Sequence, residues 1–313
     1  MRKTLTDLLY EYDTRRNRAD SLAAAYTARI TQAHPALKEM KSEHDELYLD
    51  ALKQAMRDPQ NRDELLARAK SDAARISESM DEYCAKNGID RGLMQPQRTC
   101  EMCADTGYIT VNNAKRLCPC IIRRMRVEVY GGYDIPLLEG SFDEYDLSLF
   151  KDDEQKRRAA KLLAFGKSYA QNGGKLFTLL SGKAGLGKSY LMHCIAKAIY
   201  AAGGDVMFTG AFNMFECFKL HRIGEMSSLS AITQAEFLFI DDLGSEPITQ
   251  NVTREYLFDM IESRTAYGLK TMISTNLTKL ELKERYGEKV MSRLLADKTS
   301  DFIAFTGDDL RMR

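Results

Sequence analysis

"LFTLLSGKAGLGKSYLMHCIAKAIY", residues 176–200, decides the fold. A strand-like apolar run ends at a glycine-rich turn, and the turn leads straight into a stretch with helical spacing. Within it Gly182, Lys183, Ala184, Gly185, Leu186, Gly187, Lys188 and Ser189 satisfy G-x-x-x-x-G-K-[ST] at every position. Glycines let such a loop curl until its N–H groups and the next helix's N-terminus face a chain of phosphates. Lys188 is then placed for the β- and γ-phosphates and Ser189 for Mg²⁺, with Tyr190 completing the nucleotide-binding run. Strand, loop and helix in that order set this apart from a chance glycine-rich turn.

Outward from the loop, helical and strand-type stretches alternate. Apolar runs recur at 205–210, 237–244, 271–276 and 302–307. With the first run they predict a five-stranded parallel sheet covered on both faces, over residues 154–313. The run "FLFIDDLG" ends in two carboxylates at a strand's C-terminal end. Asp241 is placed to hold Mg²⁺. Asp242 stands where a glutamate usually polarises the attacking water. Being one methylene shorter, it predicts hydrolysis that is slow or needs a partner. "TMISTN" ends in Asn276, a polar amide suited to sensing the γ-phosphate and the water; alone, it would serve equally as a cap. Arg285, Arg293 and Arg311 are each candidates for an arginine presented to a neighbour's nucleotide, or simply exposed charges.

Composition bounds the rest. The 313 residues carry 45 basic and 45 acidic side chains, so the chain as a whole is no generic polyanion binder. No apolar run has the length to cross a bilayer, and the charged N-terminus lacks a signal peptide's apolar centre. A cytoplasmic protein without membrane contact is expected. Residues 1–90 are nearly free of glycine, and Leu22, Tyr26, Ile30, Leu37 and Met40 fall at helical spacing. Two or three long helices follow, with Pro35 opening the second, Asp58-Pro59 starting another and "KNG" at 86–88 stopping the last. Such a region is either an ordinary helical domain or an arm that completes its apolar seam on a partner. Residues 131–153 read as a linker packed on the sheet domain.

Between these regions, residues 91–130 hold four of the seven cysteines. Cys100-x₂-Cys103 and Cys118-x-Cys120 form two close pairs, with a short hairpin expected around Gly107 and the two asparagines at 112 and 113. Four thiolates suit a structural Zn²⁺ ion, which contributes about 10–16 kcal/mol in small peptides. An iron–sulfur cluster would use the same four ligands. Disulfides fit a reducing compartment least. Arg91, Arg98, Lys115, Arg116, Arg123, Arg124 and Arg126 make the module basic, either as a grip on nucleic acid or as a solvated face.

The motifs "GKAGLGKSYL", "FLFIDDLGSE", "TMISTNL", "GEKVMSRLL" and "DLRMR", in this order over residues 130–313, resemble the AAA+ ATPases. More narrowly they resemble DnaC/DnaI-type bacterial or phage helicase loaders and their IstB-type transposition relatives. The resemblance implies Walker A roles for Lys188 and Ser189 and Walker B roles for Asp241 and Asp242. Asn276 becomes sensor 1, Arg293 the arginine finger and Arg311 the sensor 2 arginine. Lys289 departs from the pattern, standing where many relatives carry a second arginine. The chain stops soon after the last strand, which matches a branch without the full helical lid. The four cysteines resemble the zinc region of DnaI-like loaders. The function implied is an ATP-dependent loader placing a hexameric replicative helicase on single-stranded DNA. In it the N-terminal region holds the helicase and ATP drives head-to-tail homo-oligomer assembly. The helix "FNMFECFKLHRIGEM" (212–226), with Lys219, His221 and Arg222, is a candidate DNA contact; packing explains its phenylalanines equally. The alternatives are an IstB-type transposition helper ATPase and a non-catalytic, ATP-binding zinc adaptor.

Overall fold

The computed structural model describes residues 3–57, 61–150, 152–307 and 309–310. Two compact units divide the chain: Thr6–Cys118, and Pro119–Arg313 together with Met1–Leu5.

Three long helices, α1 (Leu5–Ala33), α2 (Pro35–Arg57) and α3 (Arg62–Lys86), run through the first unit. Pro35 opens α2, where its missing N–H costs no helical bond. Asp58-Pro59 lies outside the described residues. The stop at 86–88 is real: Gly88 adopts φ 65°, open to a residue without Cβ. Helices α2 and α3 close over Leu37, Met80 and Cys84, all buried. Helix α1 contributes less to a core. Its buried residues are Leu8, Tyr12 and Ala23, while Leu22 on the expected seam is 62% exposed. Strands β1 (Tyr108–Val111) and β2 (Ala114–Leu117) form an antiparallel hairpin. Its two-residue turn is Asn112-Asn113, both at positive φ, which matches the twist of the flanking strands.

The second unit starts with a short helix, α4 (Pro119–Arg124), and helix α5 (Asp153–Asn172) precedes its sheet. Asp152 caps α5 by accepting the Gln155 N–H at 2.7 Å, and Gly173 ends it at φ 76°. Then come β3 (Phe177–Ser181), α6 (Lys188–Ala201), β4 (Val206–Gly210), α7 (Ala211–Arg222), α8 (Ser230–Thr233) and β5 (Phe237–Leu243). The last elements are α9 (Thr253–Ala266), β6 (Lys270–Thr275), α10 (Lys279–Tyr286), α11 (Glu288–Leu294) and β7 (Ser300–Ala304). The five strands pair in parallel in the order β4-β5-β6-β3-β7, as the five apolar runs predicted. Every residue of β3 is buried, the mark of a central strand covered on both faces. One core holds Leu179, Ile240 and Ile273 against α7, α9 and α10; the other holds Leu180, Phe208 and Met272 against α6.

This order places the phosphate-loop strand between β6 and β7, with β5 beyond β6. The C-terminal ends of β3, β5 and β6 come level, Ser181 facing Thr275 and Leu243 facing Thr275 from the other side. Crevices at such ends are where open α/β sheets take ligands. The core also buries Arg264 completely. It donates to the carbonyls of Thr233, Ala235 and Lys270 and to the Thr271 hydroxyl, pinning α9 across the start of β6. Burial brings its pKa down to about 10, so it stays charged at neutral pH.

Candidate functional site: a nucleotide pocket and a four-cysteine cluster

The phosphate loop turns on its glycines. A Cβ on Gly182, at φ 157°, would meet the Phe305 carbonyl oxygen at 2.4 Å, and Gly187 caps α6 at φ 84°. The loop edges a pocket of about 550 Å³, to which Ala184 through Tyr190 all contribute. Across it lie Asp241, Asp242, Ser274 and Asn276. The expected linker supplies a further wall, Tyr145, Leu149 and Phe150 among it. It is tied down on the way: Tyr133 N–H donates to the Phe208 carbonyl at 2.8 Å, and Lys197 Nζ to that of Leu138 at 2.9 Å. That wall left no signal in the sequence beyond aromatics in a turn-rich segment.

The polar side chains in the pocket form one connected network. Lys188, almost fully buried, donates from Nζ to the carbonyls of Gly182 and Lys183 at 2.6 and 2.7 Å and to Asn276 Oδ1 at 2.9 Å. The Asn276 Nδ2 then donates to Asp242 Oδ1 at 2.7 Å. On the other side, Ser189 Oγ donates to Asp241 Oδ1 at 2.8 Å. Ser274 closes the ring: its Oγ donates to the same carboxylate oxygen at 2.5 Å and accepts the Asp242 N–H at 2.8 Å. Ser274 escaped the sequence reading, because both of its bonds cross from β6 to β5.

Asp242 sits at φ 57°, and the β5–β6 register breaks between Ile240 and Leu243. Aspartate tolerates the left-handed region better than a longer side chain, because its short carboxylate bonds locally. The shorter acid thus suits this turn. Behind it, fully buried Glu246 accepts the Gly244 N–H at 2.9 Å, the Tyr286 hydroxyl at 2.5 Å and the Arg285 Nε at 3.1 Å. Burial and the Glu246 carboxylate both push the Tyr286 phenol pKa up, so it remains a donor. Glu246 too went unread, since only the fold brings α10 behind this turn.

The donor set fits Mg²⁺ and a polyphosphate. A serine hydroxyl and a carboxylate converge as hard oxygen ligands, beside an ammonium and a loop of backbone N–H groups. The three arginines part company. Arg285 is committed to the Glu246 carboxylate and main-chain oxygen of its own chain. Arg293 is half exposed and pairs with Glu262 at 2.5 Å. Arg311 lies outside the described residues. On α7, Phe215 and Phe218 are buried in the core, whereas Phe212 is 53% exposed. Lys219 pairs with Glu216, and His221 Nδ1 lies 3.0 Å from the Tyr256 hydroxyl.

The four cysteines do come together: the Sγ atoms of Cys100, Cys103, Cys118 and Cys120 all lie within 4.8 Å of one another. None of the seven cysteines forms a disulfide. Cys100 and Cys118 have their sulfurs 3.8 Å apart. A tetrahedron with Zn–S bonds near 2.3 Å has edges of about 3.8 Å, so the donor set and its spacing fit zinc. Asp105 organises the first pair. Fully buried, it accepts the N–H groups of Thr99 and Cys100 at 2.9 and 3.1 Å and pairs with Arg15 at 2.7 Å. Burial alone would raise its pKa; these donors outweigh it and hold the carboxyl below its ordinary value.

Pocket, loop and sheet order define a P-loop nucleotide-binding domain. The chain belongs to the IstB-like ATP-binding protein family, whose profile matches residues 134–313, more than half of its length. It is also similar to the replicative helicase loader DnaI of Bacillus subtilis (strain 168), 26% identical over 152 residues. That match spans 48% of this chain and 48% of the relative, so the chain spans about half the length of the curated relative it matches. Among solved structures, that of DnaI superposes with a TM-score of 0.42 at 19% identity, over 55% of this chain and 91% of that one. The DnaC helicase loader gives a TM-score of 0.43 at 22% identity, over 53% and 98%.

Proposed function

We propose that this protein is an AAA+ ATPase that loads a hexameric replicative helicase onto single-stranded DNA. The observation that carries the ATPase part is the unbroken network from Lys188 through Asn276 to Asp242, with Ser189, Asp241 and Ser274 beside it. In this reading Lys188 leaves the loop carbonyls for the β- and γ-phosphates. Ser189 and Asp241 would hold Mg²⁺, which when bound would supply neutralisation of phosphate charge. Asp242 accepts a hydrogen bond from the attacking water, and Asn276 orients that carboxylate by the bond it already makes. Arg293, exposed and held by one surface pair, is the arginine offered to a neighbouring copy. Cys100, Cys103, Cys118 and Cys120 hold a structural Zn²⁺ ion that gives a small hairpin module its fold.

The loader part rests on the similarity to DnaI together with a zinc-type module ahead of the ATPase domain. The helical region would hold the helicase, with α7 as the DNA contact in a head-to-tail assembly in the cytoplasm. Light scattering on the full chain mixed with its host's replicative helicase, with and without ATP and Mg²⁺, tests it. A stable complex whose composition changes with nucleotide is the expected result. No complex under any nucleotide condition would move the assignment to a transposition helper ATPase.

A further inference from the structure

We propose that a groove on α1, in the helical unit, is the seat of an acidic amphipathic helix from a partner protein. The groove measures about 610 Å³ and runs between one face of α1 and the segment that contains Leu93. Arg15, Ala19, Leu22, Tyr26 and Arg29 line it. They recur at intervals of four, three, four and three, which makes a single stripe about 21 Å long at 1.5 Å per residue. The apolar members are left for something else to cover: Leu22 is 62% exposed and Leu93 44%.

Three features select the occupant. Ala19, Ala23 and Ala25 lie along the floor, and small side chains let a second helix approach to about 8–10 Å. The floor is a helix, whose backbone bonds are internal, so an extended peptide finds no strand edge to join. The charge has one sign. Arg15, Arg18 and Arg29 line the groove and no carboxylate does. Arg15 answers the buried Asp105, whereas Arg18 and Arg29 form no ion pair among the described residues. Tyr26 is the single aromatic among the described lining residues, and Arg29 lies over one of its faces at 5.4 Å, so the groove has no run of rings on which successive bases could stack. A helix with leucine-type side chains at three- and four-residue spacing, flanked by carboxylates, matches floor and rim together. This inference does not depend on which macromolecule the ATPase serves.

The test uses the full-length protein and fluorescein-labelled probes at about 0.15 M salt, where steering between distant charges is screened. The first probe is a synthetic helix of about five turns, with Leu at three- and four-residue spacing and Glu on both flanks. The second carries Lys for every Glu, and the third is a mixed-sequence single-stranded oligonucleotide. The Glu peptide is expected to bind, and to weaken about tenfold or more with Leu22→Asp and with Arg18→Glu plus Arg29→Glu. All these positions are exposed or rim residues, and circular dichroism with unchanged ATP hydrolysis would show the variants folded. Equal binding of the Glu and Lys peptides, no binding of the Glu peptide, or undiminished binding by the variants would overturn the proposal. Oligonucleotide binding lost in the same variants would overturn it for a nucleic-acid surface. Self-association that depends on Leu22 would overturn it for a second copy.

Discussion

At the scale of single residues, the pocket's chemistry turns on which atoms are charged and which are held. Asp242→Asn keeps a side chain that tolerates φ 57° and can still face Asn276. It removes the carboxylate alone. Nucleotide binding is therefore expected to persist while steady-state hydrolysis falls by about 100-fold or more, the loss typical of a missing general base. Lys188→Ala should instead abolish nucleotide binding, measured by titration with a fluorescent ATP analogue. Binding retained by Lys188→Ala would favour a structural nucleotide and the adaptor reading. Lys188 and Ser189 were legible because their spacing is local, and Asp241 because it ends a contiguous apolar run. Ser274 was not recognised, because its bonds to Asp241 and to the Asp242 N–H depend on how β5 and β6 pair.

At the scale of elements, the turn after β5 is braced from α10. Glu246→Ala would leave the Gly244 N–H and the Tyr286 hydroxyl without their acceptor and take the carboxylate from the partly buried Arg285, which keeps only the main-chain oxygen of residue 246. Removing one partner of a buried charged pair costs about 3–5 kcal/mol, which urea denaturation would read as a lower midpoint. Hydrolysis should fall as well, since the turn carries Asp242. In α6, His193 is packed edge-on against Phe208 at 5.0 Å. Burial lowers its pKa below 6.5, opposed by Asp241 and Glu139 and assisted by Lys197. The folded state thus holds neutral imidazole where the unfolded chain takes up a proton. The contribution is complete above about pH 6.5 and is lost as pH falls through the lower folded value. Mg²⁺-free protein should lose stability on acidification below about pH 6.5, and His193→Phe should flatten that slope. An unchanged slope would show that another group titrates there.

For the whole molecule, the chain divides at Cys118 into units of different physical character. The nucleotide-binding unit buries two apolar cores against one sheet, whereas the helical unit buries small side chains such as Ala23, Ala51, Ala69 and Ala73 beside Leu8, Tyr12, Leu37 and Met80. A zinc ion held by the four thiolates would add a cross-link to that unit. One zinc per chain is expected by atomic absorption, and Co²⁺ exchange should give the visible bands of tetrahedral thiolate ligation. A strong chelator should melt the helical unit while the nucleotide-binding unit keeps its nucleotide affinity, read by calorimetry and by titration. Brown protein carrying iron and labile sulfide would replace zinc with an iron–sulfur cluster.

The sequence by itself determined the five-stranded parallel sheet, the phosphate loop, the paired cysteines and the carboxylates at the end of β5. Each is written in contiguous residues whose spacing is the physical signal: apolar runs for buried strands, glycines for a curled loop, paired thiolates for a metal. Tertiary structure alone decided the rest. It brought Glu246 against Tyr286, Asp105 against Arg15, and Tyr145 and Phe150 to the pocket wall. It committed Arg285 to its own chain and, between the two readings of the N-terminal seam, left Leu22 uncovered. Those outcomes depend on which distant segment folds back onto a given face. Burial and partner choice are properties of that meeting, and nothing in the local order of residues encodes them.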